Sequence, residues 1–128
     1  MIKKIISIIF ITFLLSSCAS RQVINSTSAT ILIKTPVMKF YDKGFISKFE
    51  NYTQVQIYSV GKTVLDMKIY KDRVCTSTFE CESLKEFNKK YLSSSYEDSF
   101  LESIFNSNKK DVIFRDKKNQ VLIKIKKD

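Results

Sequence analysis

Three cysteines, thirteen acidic side chains and no histidine set the chemical limits of this 128-residue chain. Without an imidazole neither a Ser-His-Asp triad nor a Cys-His pair can be assembled, so hydrolysis by the usual nucleophilic relays is excluded. Serine and lysine are both abundant, and abundance makes any single Ser-Lys pairing uninformative. The carboxylates closest to a constellation are Glu80 and Glu82, which flank Cys81, and Glu97, Asp98 and Glu102 farther on. Two of them could act as acid and base on a glycoside. Carboxylates early in helices also serve the helix itself, each worth about 0.3 to 1 kcal/mol against its dipole. Gly44 and Gly61 are the only glycines, which leaves no glycine-rich loop to cradle a phosphate. The expectation is a chain that binds rather than catalyses, with no catalytic residue, metal or cofactor.

The N-terminus speaks to location. Lys3 and Lys4 precede the apolar stretch Ile5 to Leu15, and Leu15-Ser16-Ser17-Cys18 closes it, followed by Ala19 and Ser20. Charge, apolar core and small residues in that order mark an export signal. The stretch is well short of the ~20 residues a helix needs to cross the hydrocarbon. Leu15-Ser16-Ser17-Cys18 resembles the bacterial lipobox. The resemblance implies that residues 1–17 are a removable signal peptide and that the Cys18 thiol carries diacylglycerol. Acyl chains such as palmitate, at ~0.8 kcal/mol per buried CH2, would then hold the mature chain on a membrane. Ala19 and Ser20 differ from the acidic signal that retains enterobacterial lipoproteins in the inner membrane. The periplasmic face of the outer membrane is therefore the expected location.

With Cys18 assigned to lipid, Cys75 and Cys81 remain as a pair in an oxidising compartment, where a structural disulfide is expected. A bridge over so short a loop stabilises by roughly 2 kcal/mol through the unfolded chain. Two cysteines without histidine make a poor zinc site, and Cys75-x5-Cys81 is spaced too widely for a redox pair.

The elements that must position these residues read as a β-rich domain over 30–128, joined to Cys18 by a small-residue tether over 18–29. Strands are expected at Ile31 to Lys34, Val37 to Tyr41 and Phe45 to Phe49, with Asp42-Lys43-Gly44 as a turn that uses the freedom of Gly44. Val55 and Ile57 alternate with Gln56 and Tyr58. Across the Val60-Gly61-Lys62 turn, Leu65, Met67 and Ile69 alternate with Asp66 and Lys68, which completes the clearest hairpin. A short strand follows at Val74 and Cys75. Ser83-Leu84-Lys85-Glu86 fits a capping box, and Leu84, Phe87 and Tyr91 share one face of the helix it opens. Ser95 is expected to cap a second helix with Phe100, Leu101, Ile104 and Phe105 on its apolar stripe, closed by the cations of Asn106 to Lys110. A last hairpin joins Val112 to Arg115 with Val121 to Lys126, its lysines guarding an edge. The fold class is α+β, a mainly antiparallel curved sheet with two short helices packed on it.

Removing Lys3 and Lys4 from 22 basic residues leaves 20 against 13 acidic in the mature chain, a net charge of +7. That charge suits either a solvated lysine-rich surface or an anionic lipid or polyanion. No basic-aromatic RNA signature is present and nucleic acid is not expected as a partner. Ten Phe and six Tyr are generous for the size. They read as core, or as the lining of an apolar pocket beneath the helices for an acyl chain or peptide, with Leu65, Met67, Ile69, Phe87 and Phe100 as candidates. Tyr41, Tyr52 and Tyr58 stay open between core and site. In layout, the lipobox, tether, antiparallel strands, helical segment and terminal strands resemble the Lol-type lipoprotein carrier and receptor fold, which implies a lipid-binding cavity. The chain also resembles small lipoproteins of Gram-negative envelopes. Its expected role is non-enzymatic binding of a protein or lipid partner at the membrane surface, with a lipid carrier or receptor and an enzyme inhibitor as alternatives.

Overall fold

A computed structural model describes residues 2–6, 23–76 and 80–128 of the chain. The apolar run after residue 6, Leu15-Ser16-Ser17-Cys18 and the tether up to residue 22 lie outside the described residues. Residues 2–6 are helical. Alternation of apolar and polar residues builds the rest, through strands β1 (Asn25–Lys34), β2 (Lys39–Lys48), β3 (Tyr52–Ser59), β4 (Lys62–Tyr70), β5 (Arg73–Cys75) and β6 (Cys81–Ser83). Helices α1 (Leu84–Tyr91) and α2 (Phe100–Phe105) come next, then β7 (Asp111–Asp116) and β8 (Val121–Lys127). All pairings are antiparallel in one sheet of order β6-β5-β4-β3-β2-β1-β8-β7. The chain is thus largely sheet, and with helices of eight and six residues the α+β description fits only roughly.

Register sorts the side chains onto two faces, because successive strand residues point opposite ways. On the inner face Ile31 lies between Ile125 and Asp42, and Val55 between Ile46 and Met67. Ile31, Val55, Ile57 and Ile123 are completely buried there, beneath Leu84 and Phe87 of α1 and Leu101 and Phe105 of α2. Both α1 and α2 pack on this inner face.

Three sequence expectations about the sheet change. Lys39–Lys48 is one unbroken strand, not two strands about a turn at Asp42-Lys43-Gly44. Gly44 pairs with Ala29 and Ile57, and a Cβ on it would stand 2.1 Å from the Gln56 carbonyl oxygen. Glycine is required there by a close approach of strands, and it lacks the positive φ that Gly61 shows. Second, β1 begins at Asn25, so part of the expected tether is strand. Its small polar residues find partners, with Ser26 Oγ 3.0 Å from Ser47 Oγ and Ser28 donating to Asp128 at 2.8 Å. Third, β8 is interior and β7 and β6 are the edges, so the lysines of β8 guard no edge.

The hairpin expected at Val60-Gly61 is present, with both residues at positive φ (50° and 75°) as a tight two-residue turn demands. Ser83 caps α1 by accepting from the Glu86 N–H at 3.2 Å. The second helix opens later than expected, at Phe100, and Ser99 at its N-cap makes no side-chain hydrogen bond. Ser95 instead closes a turn on Ser93. No basic residue sits in the last turn of α2. The positive charge at that end comes across from the sheet, where Lys48 donates to the Asn106 carbonyl at 3.3 Å and Lys127 to the Ser107 carbonyl at 2.5 Å.

Candidate binding surface

Cys75 and Cys81 face each other across β5 and β6 and are joined by a disulfide. The bond ties β5 to β6, the strand that leads directly into α1. The Cys18 expectation lies outside the described residues. Among the described residues no group of three or more His, Cys, Asp or Glu could hold a metal ion, and no helix is long and apolar enough to cross a membrane.

The carboxylates scatter. Glu80 and Glu82 border a shallow cavity of about 370 Å³ together with Lys90 and Tyr91, and Glu82 is paired with Lys90 at 2.8 Å. Glu97 and Asp98 are exposed on the turn before α2, where the Glu97 carbonyl accepts from Asn88 at 2.9 Å. Glu102 borders a different cleft, beside the start of β1. Of the five candidate apolar residues, Met67, Ile69 and Phe87 are buried in the core, and Leu65 and Phe100 pack against it. The structure brings them together where the sheet meets the helices, and Ile69 also borders the cleft beside Glu102.

A hydrogen-bonded tyrosine and carboxylate join the helical segment to β7. Tyr96 donates to Asp116 at 2.6 Å, and Asn119 donates to the same carboxylate from its side chain at 2.7 Å and its backbone at 3.2 Å. The Tyr96 hydrogen bond, with those of Asn119, holds Asp116 below the usual carboxylate range. Burial first, then the Asp116 hydrogen bond, pushes the Tyr96 hydroxyl up. Tyr96 also tilts against Phe100 and meets the edge of Phe114, with ring centroids at 4.5 and 5.6 Å. This group is a clamp between layers, and its sequence signal was the Asx turn available to Asp116 three residues before Asn119.

The arrangement best suited to engage another molecule lies at the end of the sheet where β1 begins. Phe49 stacks on Tyr52 at 4.5 Å, Tyr52 tilts against Tyr70 at 5.1 Å, and Arg73 lies over the Tyr70 ring at 4.0 Å. Register explains the ladder. Tyr52 is directly opposite Tyr70, Arg73 follows across the β4-β5 turn, and the Phe49 N–H donates to the Tyr52 carbonyl to close the β2-β3 turn. Lys68 adds an ammonium 5.4 Å from the Tyr52 ring. Phe49, Tyr52, Tyr70 and Arg73 line a cleft of about 600 Å³ with Lys71, Glu50 and Asp72. Ile24, 69% exposed, borders its continuation beside Tyr52 and Tyr70. Tyr52 thus borders the cleft, Tyr41 is 66% exposed on the outer face, and Tyr58 packs edge-on against Phe45. Sequence reasoning missed Phe49, Tyr70 and Arg73, because their meeting depends on strand register and two turns.

Stacked rings and cations without a nucleophile or aligned acid-base pair can hold a ligand by cation-π, apolar and charge interactions. Comparison of the chain with models of protein families, with curated proteins and with solved structures finds no match.

Proposed function

We propose that the chain is a lipid-anchored envelope protein, tethered through Cys18, whose domain binds a lipid or protein partner at the periplasmic membrane surface without covalent chemistry. The carrying observation is the aromatic and cationic cleft of Phe49, Tyr52, Tyr70 and Arg73, bordered by Ile24 at the start of the domain. Tyrosine rings with neighbouring cations are suited to the boundary between headgroups and water, since each ring has an apolar body and a polar tip. The outer membrane is the proposed location, on the strength of Ala19 and Ser20.

Intact mass of the membrane-extracted protein tests the anchor. The expected result is a chain starting at Cys18 with a diacylglycerol-sized addition, lost in Cys18→Ala, whose two other thiols react only after reduction. A full-length unmodified chain would overturn it. A photo-reactive phenylalanine analogue at position 70 tests the cleft, with one at exposed position 89 as control. A discrete adduct at 70 and none at 89 is expected; equal, diffuse labelling would count against a binding cleft.

A further inference from the structure

The outer face of strands β2, β1, β8 and β7 has an unbalanced charge that register alone reveals. Lys34, Lys39, Lys43, Lys124, Lys126 and Arg115 all point to that face and all are exposed. Against them stand Asp111 and the terminal Asp128, and among the described residues only Lys43 of the six cations is in an ion pair, with Asp128 at 2.8 Å. Between the cations runs a row set by register, Tyr41 beside Leu32, then Lys124, then Ile113. Tyr41 and Ile113 are 66% and 67% exposed, and the row borders an apolar groove of about 340 Å³. The layer on the other side lacks this excess, its own segment being acidic and Lys48 and Lys127 reaching its end from the sheet. From Glu80 to Asn106 there are six acidic residues and three lysines.

We infer that this outer face lies against an anionic phospholipid surface, the lysines and Arg115 reaching phosphate groups while Tyr41 and Ile113 enter the headgroup layer. Three observations select a membrane as the occupant. An anionic surface attracts the cationic sheet face far more than the nearly balanced helical layer, so charge alone orients the domain. Exposed apolar residues interleaved with lysines match an interface that is charged outside and apolar within. Finally, β1 is central to this face, and Asn25 follows Cys18 by only seven residues. Fully extended they reach about 25 Å. An anchor at Cys18 would therefore hold the face beside the headgroups at high effective concentration. The inference rests on the anchored reading for that last point and on the charge distribution for the rest.

The chain has no tryptophan, so a single one reports its own surroundings. Ile113→Trp and, as control on the helical layer, Lys89→Trp would be prepared as membrane-extracted protein and reconstituted in vesicles containing brominated phospholipid. In phosphatidylglycerol vesicles the indole emission of the Ile113→Trp variant should be quenched severalfold more than that of the Lys89→Trp control. The difference should collapse in pure phosphatidylcholine, at high salt, and when Lys34, Lys39, Lys124 and Lys126 are all changed to glutamine. Each such lysine near an anionic surface is worth about fivefold in occupancy. Equal quenching in both variants, or quenching indifferent to lipid charge, overturns the inference. An acidic protein as the true partner gives that same result in protein-free vesicles. Intact mass of the same samples keeps the two readings apart. If no acyl addition is found, the anchor fails while charge-dependent quenching of the Ile113→Trp variant on added vesicles still upholds the face. If the anchor is present and the indole at position 113 is not preferentially quenched, the face fails alone.

Discussion

Two glycines show how little of a residue's purpose its identity discloses. Gly61 occupies a turn at φ 75° with open space where a Cβ would go, so Gly61→Ala is a cost of backbone strain alone, about 1 kcal/mol. Gly44 sits in a strand with the Gln56 carbonyl oxygen 2.1 Å from its absent Cβ and Ile31 Cδ1 at 3.1 Å. Gly44→Ala must part β2 from β3 and should cost about 3 kcal/mol, more than the turn substitution despite adding the same atom. Urea unfolding of both variants checks the order. Sequence reading finds Gly61 because a two-residue turn is local, and misplaces Gly44 because its neighbours come from other strands. Tyr96 and Asp116 escape it for the same reason. Their clamp carries a sign in pH. Asp116 is held below its ordinary value, so its contribution is present above the unfolded carboxylate pKa near ~3.9 and is lost as pH falls through the lower folded value. Tyr96→Phe should lower Tm at neutral pH, raise the Asp116 titration toward the ordinary range, and differ least from wild type in strong acid. Carboxylate NMR titration beside thermal melts would show it, and an unmoved Asp116 would refute the clamp.

Elements are legible where their signals are local. The β3-β4 hairpin, the Ser83 cap and the β7-β8 hairpin each declare themselves within a dozen residues by alternation, cap or turn. The start of α2 does not, since Ser95 has the composition of a cap but turns back on Ser93. Its far end is equally illegible, because the expected Lys109 and Lys110 are replaced by Lys48 and Lys127 from strands β2 and β8. Burial and the charge of Lys48 lower the Lys127 pKa, so the two cations crowd each other while both serve the helix. Lys48→Met and Lys127→Met should each cost about 0.5 kcal/mol through the helix terminus. The double variant should cost more than the sum, since each single substitution is partly offset by relief of the same repulsion and the double gains that relief only once. Strict additivity in a double-mutant cycle would mean the lysines act separately. A gain is available at the turn between β3 and β4. Val60 is β-branched at φ 50° and 99% exposed, a conformation asparagine tolerates far better. Val60→Asn should stabilise by about 1 kcal/mol and raise Tm by a few degrees, with no change elsewhere. An unchanged or lower melting temperature would mean that Val60 is held by a contact, which its exposure argues against.

At the scale of the molecule, alternation assigns apolar residues to one side of each strand, but the polar sides acquire meaning only when the strands are set next to one another. A net charge of +9 is unremarkable as a total; the sheet order β2-β1-β8-β7 gathers six cations on one face against two acidic residues, Asp111 and Asp128. Such crowding costs the isolated domain stability. Lys34 stands directly opposite Lys39 on the outer face, and like charges so placed across strands are destabilising. Opposing this are three surface ion pairs among the described residues, Lys43–Asp128, Arg73–Asp72 and Lys90–Glu82, and exposed pairs of that kind contribute little. Screening weakens repulsion and attraction alike, so the sign of the salt effect reports which is larger. With repulsion spread over a whole face, the melting temperature in membrane-free solution should rise by roughly 2 to 5 °C as the Debye length is reduced from about 30 Å toward 3 Å by added NaCl. In the Lys34, Lys39, Lys124 and Lys126 to glutamine variant the rise should shrink to about 1 °C or less, because the field that salt screens has been removed at its source. If salt instead lowers the melting temperature of the wild type, the ion pairs outweigh the lysine rows, and the cationic face is a solvated surface whose charges are too mobile to act together.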